Sequence, residues 1–210
     1  MHLFMMKSSR RCFTWLASNM LQHLLRPFAY LRIEHHAKWQ VDWLIPLLVA
    51  TISTGAIAWM NHHGTVPILG DSGIVAKILG FVQNLPGFYI AALAAIATFN
   101  RTDIDRHMPE PTPSIDVVIQ GKTILIKLTR RRFLCTMFAF LTAESILLTV
   151  IAILGLVTAE AAKSLIPYEF HSHAKYAFLF AYLTIFWQMI AASFWGLYYL
   201  GEKLHQPDQR

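Results

Sequence analysis

Long apolar stretches alternate with short polar ones along this 210-residue chain. A helix needs about 20 mainly apolar residues to cross the hydrocarbon core of a bilayer. Residues 43–60, 133–157 and 174–200 form apolar runs of that kind. Another run ends at Thr98 or Phe99 and starts between Ile74 and Leu85. Lys77, Gln83, Asn84, Pro86 and Gly87 interrupt its first half, which predicts one kinked span or an interfacial piece followed by a short span. Ahead of the first span, Phe13, Leu16, Met20, Leu24 and Phe28 recur every three or four residues. That is the period of an amphipathic helix. It predicts a helix lying in the headgroup region, bent at Pro27.

Between the second and third spans the period changes. Residues 108–113 carry three prolines at alternate positions, which favours an extended strand. Residues 115–119 and 123–126 are rich in β-branched side chains and flank Gly121, the signature of a β-hairpin. The expected fold class is therefore an all-α membrane protein. It has four transmembrane helices, an amphipathic N-terminal helix and a small cytoplasmic β-hairpin loop between spans 2 and 3. The corresponding divisions are 1–42 (N-terminal segment), 43–99 (first transmembrane pair), 100–132 (loop), 133–200 (second pair) and 201–210 (tail).

Composition agrees with this class. The chain is 55% hydrophobic and only 14% charged, against roughly 25% charged for a soluble domain. Two cysteines exclude a disulfide-rich scaffold. Of the 18 Lys and Arg, 15 fall before the first span, between the second and third, or after the fourth. Loops on the cytoplasmic side hold the excess of basic residues. Both termini and the central loop are thus expected in the cytoplasm, and Cys12 and Cys135 as free thiols. The first ten residues run apolar then basic, the reverse of a secretory signal.

The candidate chemistry is sparse. Glu144 is a carboxylate well inside a span, where an ionisable group is costly and a functional candidate by default. It lies twelve residues beyond Arg132, and Gln188 lies twelve before Leu200, so both are expected near the bilayer midplane, with Thr54 in the same layer. In one reading a neutral Glu144 donates a hydrogen bond to Gln188 or a backbone carbonyl and ties helices together. In the other it lines a cavity or an oligomer axis and handles a proton or cation. Arg10, Arg11, Arg130, Arg131 and Arg132 are expected to contact lipid phosphate. His62, His63, His171 and His173 cluster on the outer side, without the carboxylate or thiol spacing of a metal site. Gly121-Lys122-Thr123 fails as a phosphate loop, because Asp116 stands where the motif needs glycine. With no nucleophile–base pair, HExxH or CxxC, no cofactor and no enzymatic activity are expected.

The four-span plan with an internal loop resembles the membrane-subunit family of the Kiwa anti-phage defence system, KwaA. The resemblance is carried by Ala97-Thr98-Phe99-Asn100, the acidic-to-proline stretch Asp103 to Pro113, and Leu128-Thr129-Arg130-Arg131-Arg132-Phe133. It implies an inner-membrane sensor that assembles with itself, as a tetramer for instance. It also implies a soluble, DNA-binding cytoplasmic partner resembling KwaB, with no direct nucleic-acid contact by this chain. Asp103, Asp105, Arg106, Glu110, Asp116, Lys122 and Lys127 of the loop are the residues expected to dock that partner. The competing expectation is an oligomeric channel or a holin- or toxin-like pore built on Glu144.

Overall fold

The computed structural model describes residues 20, 23–33, 38–98, 102–108, 112–119 and 122–203. The chain is mostly helical, with four helices long and apolar enough to cross a membrane: Gln40–His63, Ile74–Thr98, Arg130–Leu165 and Tyr168–Gly201. Hydrocarbon offers backbone groups no hydrogen-bond partner, so a long apolar run satisfies its own amides by coiling. We call the first helix α1 (Gln40–His63). The second is broken into α2 (Ile74–Val82) and α3 (Leu85–Thr98). The third is α4 (Arg130–Leu165) and the last is α5 (His171–Tyr198).

The α2–α3 break falls where proline predicts it. Pro86 has no N–H to donate, and its ring crowds the carbonyl four residues back. The Asn84 side chain covers part of the gap, donating to the Gly80 carbonyl at 3.0 Å. α4 runs well past the apolar stretch 133–157 at both ends. Thr129 caps its start, accepting from the Arg132 amide at 3.3 Å. At the far end, residues 158–163 are polar but rich in good helix formers. Glu160 and Lys163 pair there one turn apart at 2.6 Å.

α4 and α5 form the central pair. α1 packs along α5, and α2 and α3 pack along α4. Burial follows this order. Only 11% of the most apolar stretch of the first and second spans is buried inside the chain, against 33% for the third and fourth. The core lies along the α4–α5 seam, with Leu134, Met137, Leu141 and Leu148 facing Leu179, Leu183, Met189 and Ala192. Gly196 permits close approach, since a Cβ there would stand 2.4 Å from the Met137 terminal methyl. Small residues at such seams let membrane helices pack tightly.

The amphipathic helix expected near the N-terminus falls largely outside the described residues. What is described there is a 3₁₀ turn, Arg26–Arg32, with Pro27 at its start, packed on α4. Between α3 and α4, strands β1 (Ser114–Ile119) and β2 (Lys122–Lys127) pair antiparallel, Ser114 opposite Lys127 and Ile119 opposite Lys122. The base of this sheet is stitched to the start of α4. Met108 N–H donates to Leu128 O at 3.1 Å, Leu128 N–H to Pro113 O at 3.0 Å and Arg130 N–H to Arg106 O at 3.0 Å. Ile104, Met108 and Leu128 are buried beneath it.

Arg131 closes this arrangement. Its Nε and Nη2 donate to the two carboxylate oxygens of Asp105 at 2.7 and 3.0 Å. Its Nη1 donates to the carbonyls of Ile96 and Ala97, both at 3.1 Å. Those carbonyls belong to the last turn of α3, which lacks intrahelical donors. One guanidinium thus ties the end of α3, the turn Thr102–Asp105 and the start of α4. The hydrogen bonds from Arg131 hold the Asp105 carboxyl below the usual aspartate range. A lowered folded value means that the brace is complete above the ordinary carboxyl pKa and is lost as pH falls through the lowered one. Hydrogen-exchange protection across residues 102–108, taken relative to the intrinsic rate at each pH, should accordingly fall in acid for the wild type. Asp105→Asn should exchange fast already at pH 7; equal protection in the two proteins at pH 7 would remove the brace from the account.

Candidate functional site

A layer of buried polar side chains lies inside the helices near the α4 N-terminal half. Asp42 is only 2% exposed. Helical backbone already runs through Lys38 and Trp39, ahead of the apolar run that starts at Trp43, and this places Asp42 in the packed end of α1. Tyr30 reaches it from the 3₁₀ turn, its hydroxyl donating to Asp42 Oδ1 at 3.1 Å. The Tyr30 ring stacks on Phe140 of α4 with centroids 4.9 Å apart. Lys38, one turn before Asp42, pairs with Asp42 Oδ2 and lies 4.3 Å from the Tyr30 ring centroid. A buried carboxylate is tolerated when it is paired and hydrogen-bonded, and Asp42 is both. Burial, and next the Asp42 carboxylate beside it, push the Tyr30 phenol well above its ordinary range. It therefore stays a neutral donor.

Glu144 lies one helical turn from Phe140 on the same face of α4. It is 2% exposed, and its Oε2 has no hydrogen-bond partner among the described residues. The Glu144 and Asp42 carboxyls are near enough to act on each other electrostatically, and Tyr30 feels both. Gln188 is also buried, at 7% exposure. The expected hydrogen bond from Glu144 to Gln188 or a backbone carbonyl is not formed among the described residues. Counting residues from helix ends gives a side chain's depth but not the direction in which it points. Thr54 Oγ1, also expected in this layer, is buried and unpartnered as well. A further polar contact joins α3 to α5: Ser193 Oγ donates to Met189 O at 2.7 Å, leaving Tyr89 to donate to Ser193 at 2.6 Å.

The remaining sequence candidates scatter. Arg10, Arg11 and Glu110 lie outside the described residues. Arg130, expected at lipid phosphate, is buried at 7% exposure, because its backbone is stitched into the base of the loop. Arg131, expected there too, instead holds Asp105 and the α3 carbonyls, and Asp105 is correspondingly engaged rather than free for a partner. Arg132 is exposed. Asp103 lies in the turn Thr102–Asp105. Asp116 pairs with Leu125 and Lys122 with Ile119 in the sheet register, while Arg106 and Lys127 are exposed. Among the described residues no three His, Cys, Asp or Glu side chains gather as a metal site. His171 Nε2 is within 2.8 Å of the Ile166 carbonyl.

Sequence reasoning missed Asp42, Tyr30 and Lys38. The available signal was a lone carboxylate abutting an apolar run, with a lysine four residues earlier on the same helical face. No protein-family model, curated protein or solved structure matches the chain.

Tyr30→Phe leaves Asp42 short of one buried hydrogen bond and should lower unfolding stability in detergent by about 1–3 kcal/mol. Because the folded phenol is shifted upward, its contribution is complete below its ordinary pKa of 10.0 and is lost as pH rises beyond it. Thermal melts between pH 7 and 11 should therefore fall more steeply for wild type than for Tyr30→Phe. Parallel curves would exclude a titrating Tyr30.

Proposed function

We propose that this chain is a non-enzymatic sensor and scaffold subunit of a membrane assembly. It oligomerises in a bacterial inner membrane, with both termini and residues 100–132 in the cytoplasm, and docks a soluble DNA-binding effector on that loop. The docking reading is carried by the β1–β2 sheet. It has two strands and no third beside them among the described residues, and Ile124 and Leu125 are 47% and 62% exposed. A two-stranded sheet is marginal alone, and its open edges are templates for an added strand. The Arg131 brace holds that template at a fixed place against the spans. Self-assembly rests on the resemblance; the first and second spans, which bury little of their apolar surface within one chain, leave faces that lipid or a second copy can cover. The orientation rests on the distribution of lysine and arginine. The anti-phage setting and the kinship of the effector to KwaB rest on the resemblance to the Kiwa membrane subunit.

A second reading, an oligomeric ion channel or a holin- or toxin-like pore, is favoured by one observation. Glu144 Oε2 is buried without a partner, and intramembrane carboxyls of this kind mark ion and proton paths.

Complexes purified in mild detergent from native cells separate the two. Wild type should carry a stoichiometric soluble partner by native mass. Replacing residues 114–127 with a glycine–serine linker should remove that partner and leave the oligomer mass otherwise unchanged. A partner retained on the linker variant rules out docking on the sheet. For the pore reading, Glu144→Gln should change single-channel conductance in planar bilayers; identical currents, or none from either protein, would dispose of it.

A further inference from the structure

α4 and α5 part at the end where they are joined. A cleft of about 850 Å³ opens there between the last turns of α4 and the first turns of α5, within the range of small-molecule sites. Its apolar lining includes Ile151, Phe178 and the exposed Leu154, and Lys163, Lys175 and Glu169 line it toward the helix ends. Phe178 lies flush on Gly155, where a Cβ would come within 2.6 Å of the ring.

The depth of the cleft in a bilayer follows from the helix rise. The apolar run of α4 ends at Val157, so Ile151 and Leu154 lie just inside the edge of the hydrocarbon. Lys163 is about 9 Å further along the axis at 1.5 Å per residue. Its stem points back toward the helix N-terminus, which brings its ammonium down toward the headgroup layer. An apolar trough that opens at the hydrocarbon edge, under a charged rim, matches an amphiphile with its tail inward. The rim has both signs. Lys163 is shared with Glu160 at 2.6 Å, and Lys175 lies 5.2 Å from the Tyr176 ring centroid. Glu169 is exposed and has no ion-pair partner among the described residues. Two ammonium groups and one open carboxylate complement a headgroup that carries a phosphate and an amine.

We propose that this cleft binds a zwitterionic, amine-bearing phospholipid, with an acyl chain along Ile151, Leu154 and Phe178, its phosphate at Lys163 and Lys175 and its amine toward Glu169. The test is native mass spectrometry of the full chain in mild detergent, titrated with phosphatidylethanolamine. Wild type should retain one lipid. Ala159→Trp, which fills the cleft, should lose it, whereas Val157→Trp, at an exposed position outside the cleft, should keep it. Lys163→Gln with Lys175→Gln should weaken binding about tenfold through loss of two charge-assisted contacts. Phosphatidylglycerol, with phosphate but no amine, should bind less well to wild type, and Glu169→Gln should level the two lipids. Equal retention by wild type and Ala159→Trp overturns the site, as does a wild type that holds no lipid at saturation. Should Ala159→Trp fail to assemble, an unchanged affinity in the double lysine variant overturns it equally.

Discussion

The pairing of α4 with α5 is the constraint from which the other placements follow. Both helices are longer than a hydrocarbon core is thick, so their seam is long enough to cross a bilayer. Lipid tails are as apolar as leucine, and no hydrophobic force drives helices together there. Contact has to come from shape and from polar groups. Gly196 admits Met137, Gly155 admits Phe178, and Ser193 receives Tyr89 from α3. α1 then leans on α5, and the α2–α3 pair on α4, in a frame that is already defined.

The two buried carboxyls of the polar layer are treated in opposite ways. Asp42 is drawn to a place where a phenol and an ammonium are both supplied by residues less than four turns away in sequence. The cost of burying its charge is offset locally, and the same contacts fix the N-terminal turn on α1 while the Tyr30 ring stacks on Phe140 of α4. Glu144 receives no such compensation on Oε2. Breaking the Asp42 set would release a segment of chain. Changing Glu144 would alter the electrostatics of the layer while leaving the chain's path as it is.

Much of the architecture was legible because hydrocarbon leaves so few options. An apolar run of sufficient length must be helical, and Pro86 had to interrupt the second one. The helix ends were less legible. Residues 158–163 look like a loop by polarity yet continue α4, because alanine, glutamate and lysine favour the helix once it is under way. Asp42 was hidden by its position at the border of a polar segment, which made it read as surface. Arg131 and Asp105 were taken for separate surface features. They are 26 residues apart, and no periodicity relates a residue in a loop to one in a helix. Glu144 and Gln188 were placed in depth by counting, which carries no information about which way each faces.

The connection between β2 and α4 has a mechanical consequence. Only Leu128 and Thr129 separate the end of the strand from the first turn of the helix, and both are stitched to the returning chain. There is no slack to absorb a load. A pull on the tip of the sheet acts as torque on the end of α4, with the strands as lever and the Arg131 contacts as the point of reaction. Tilting of α4 would in turn swing the sheet tip through a wider arc than its base.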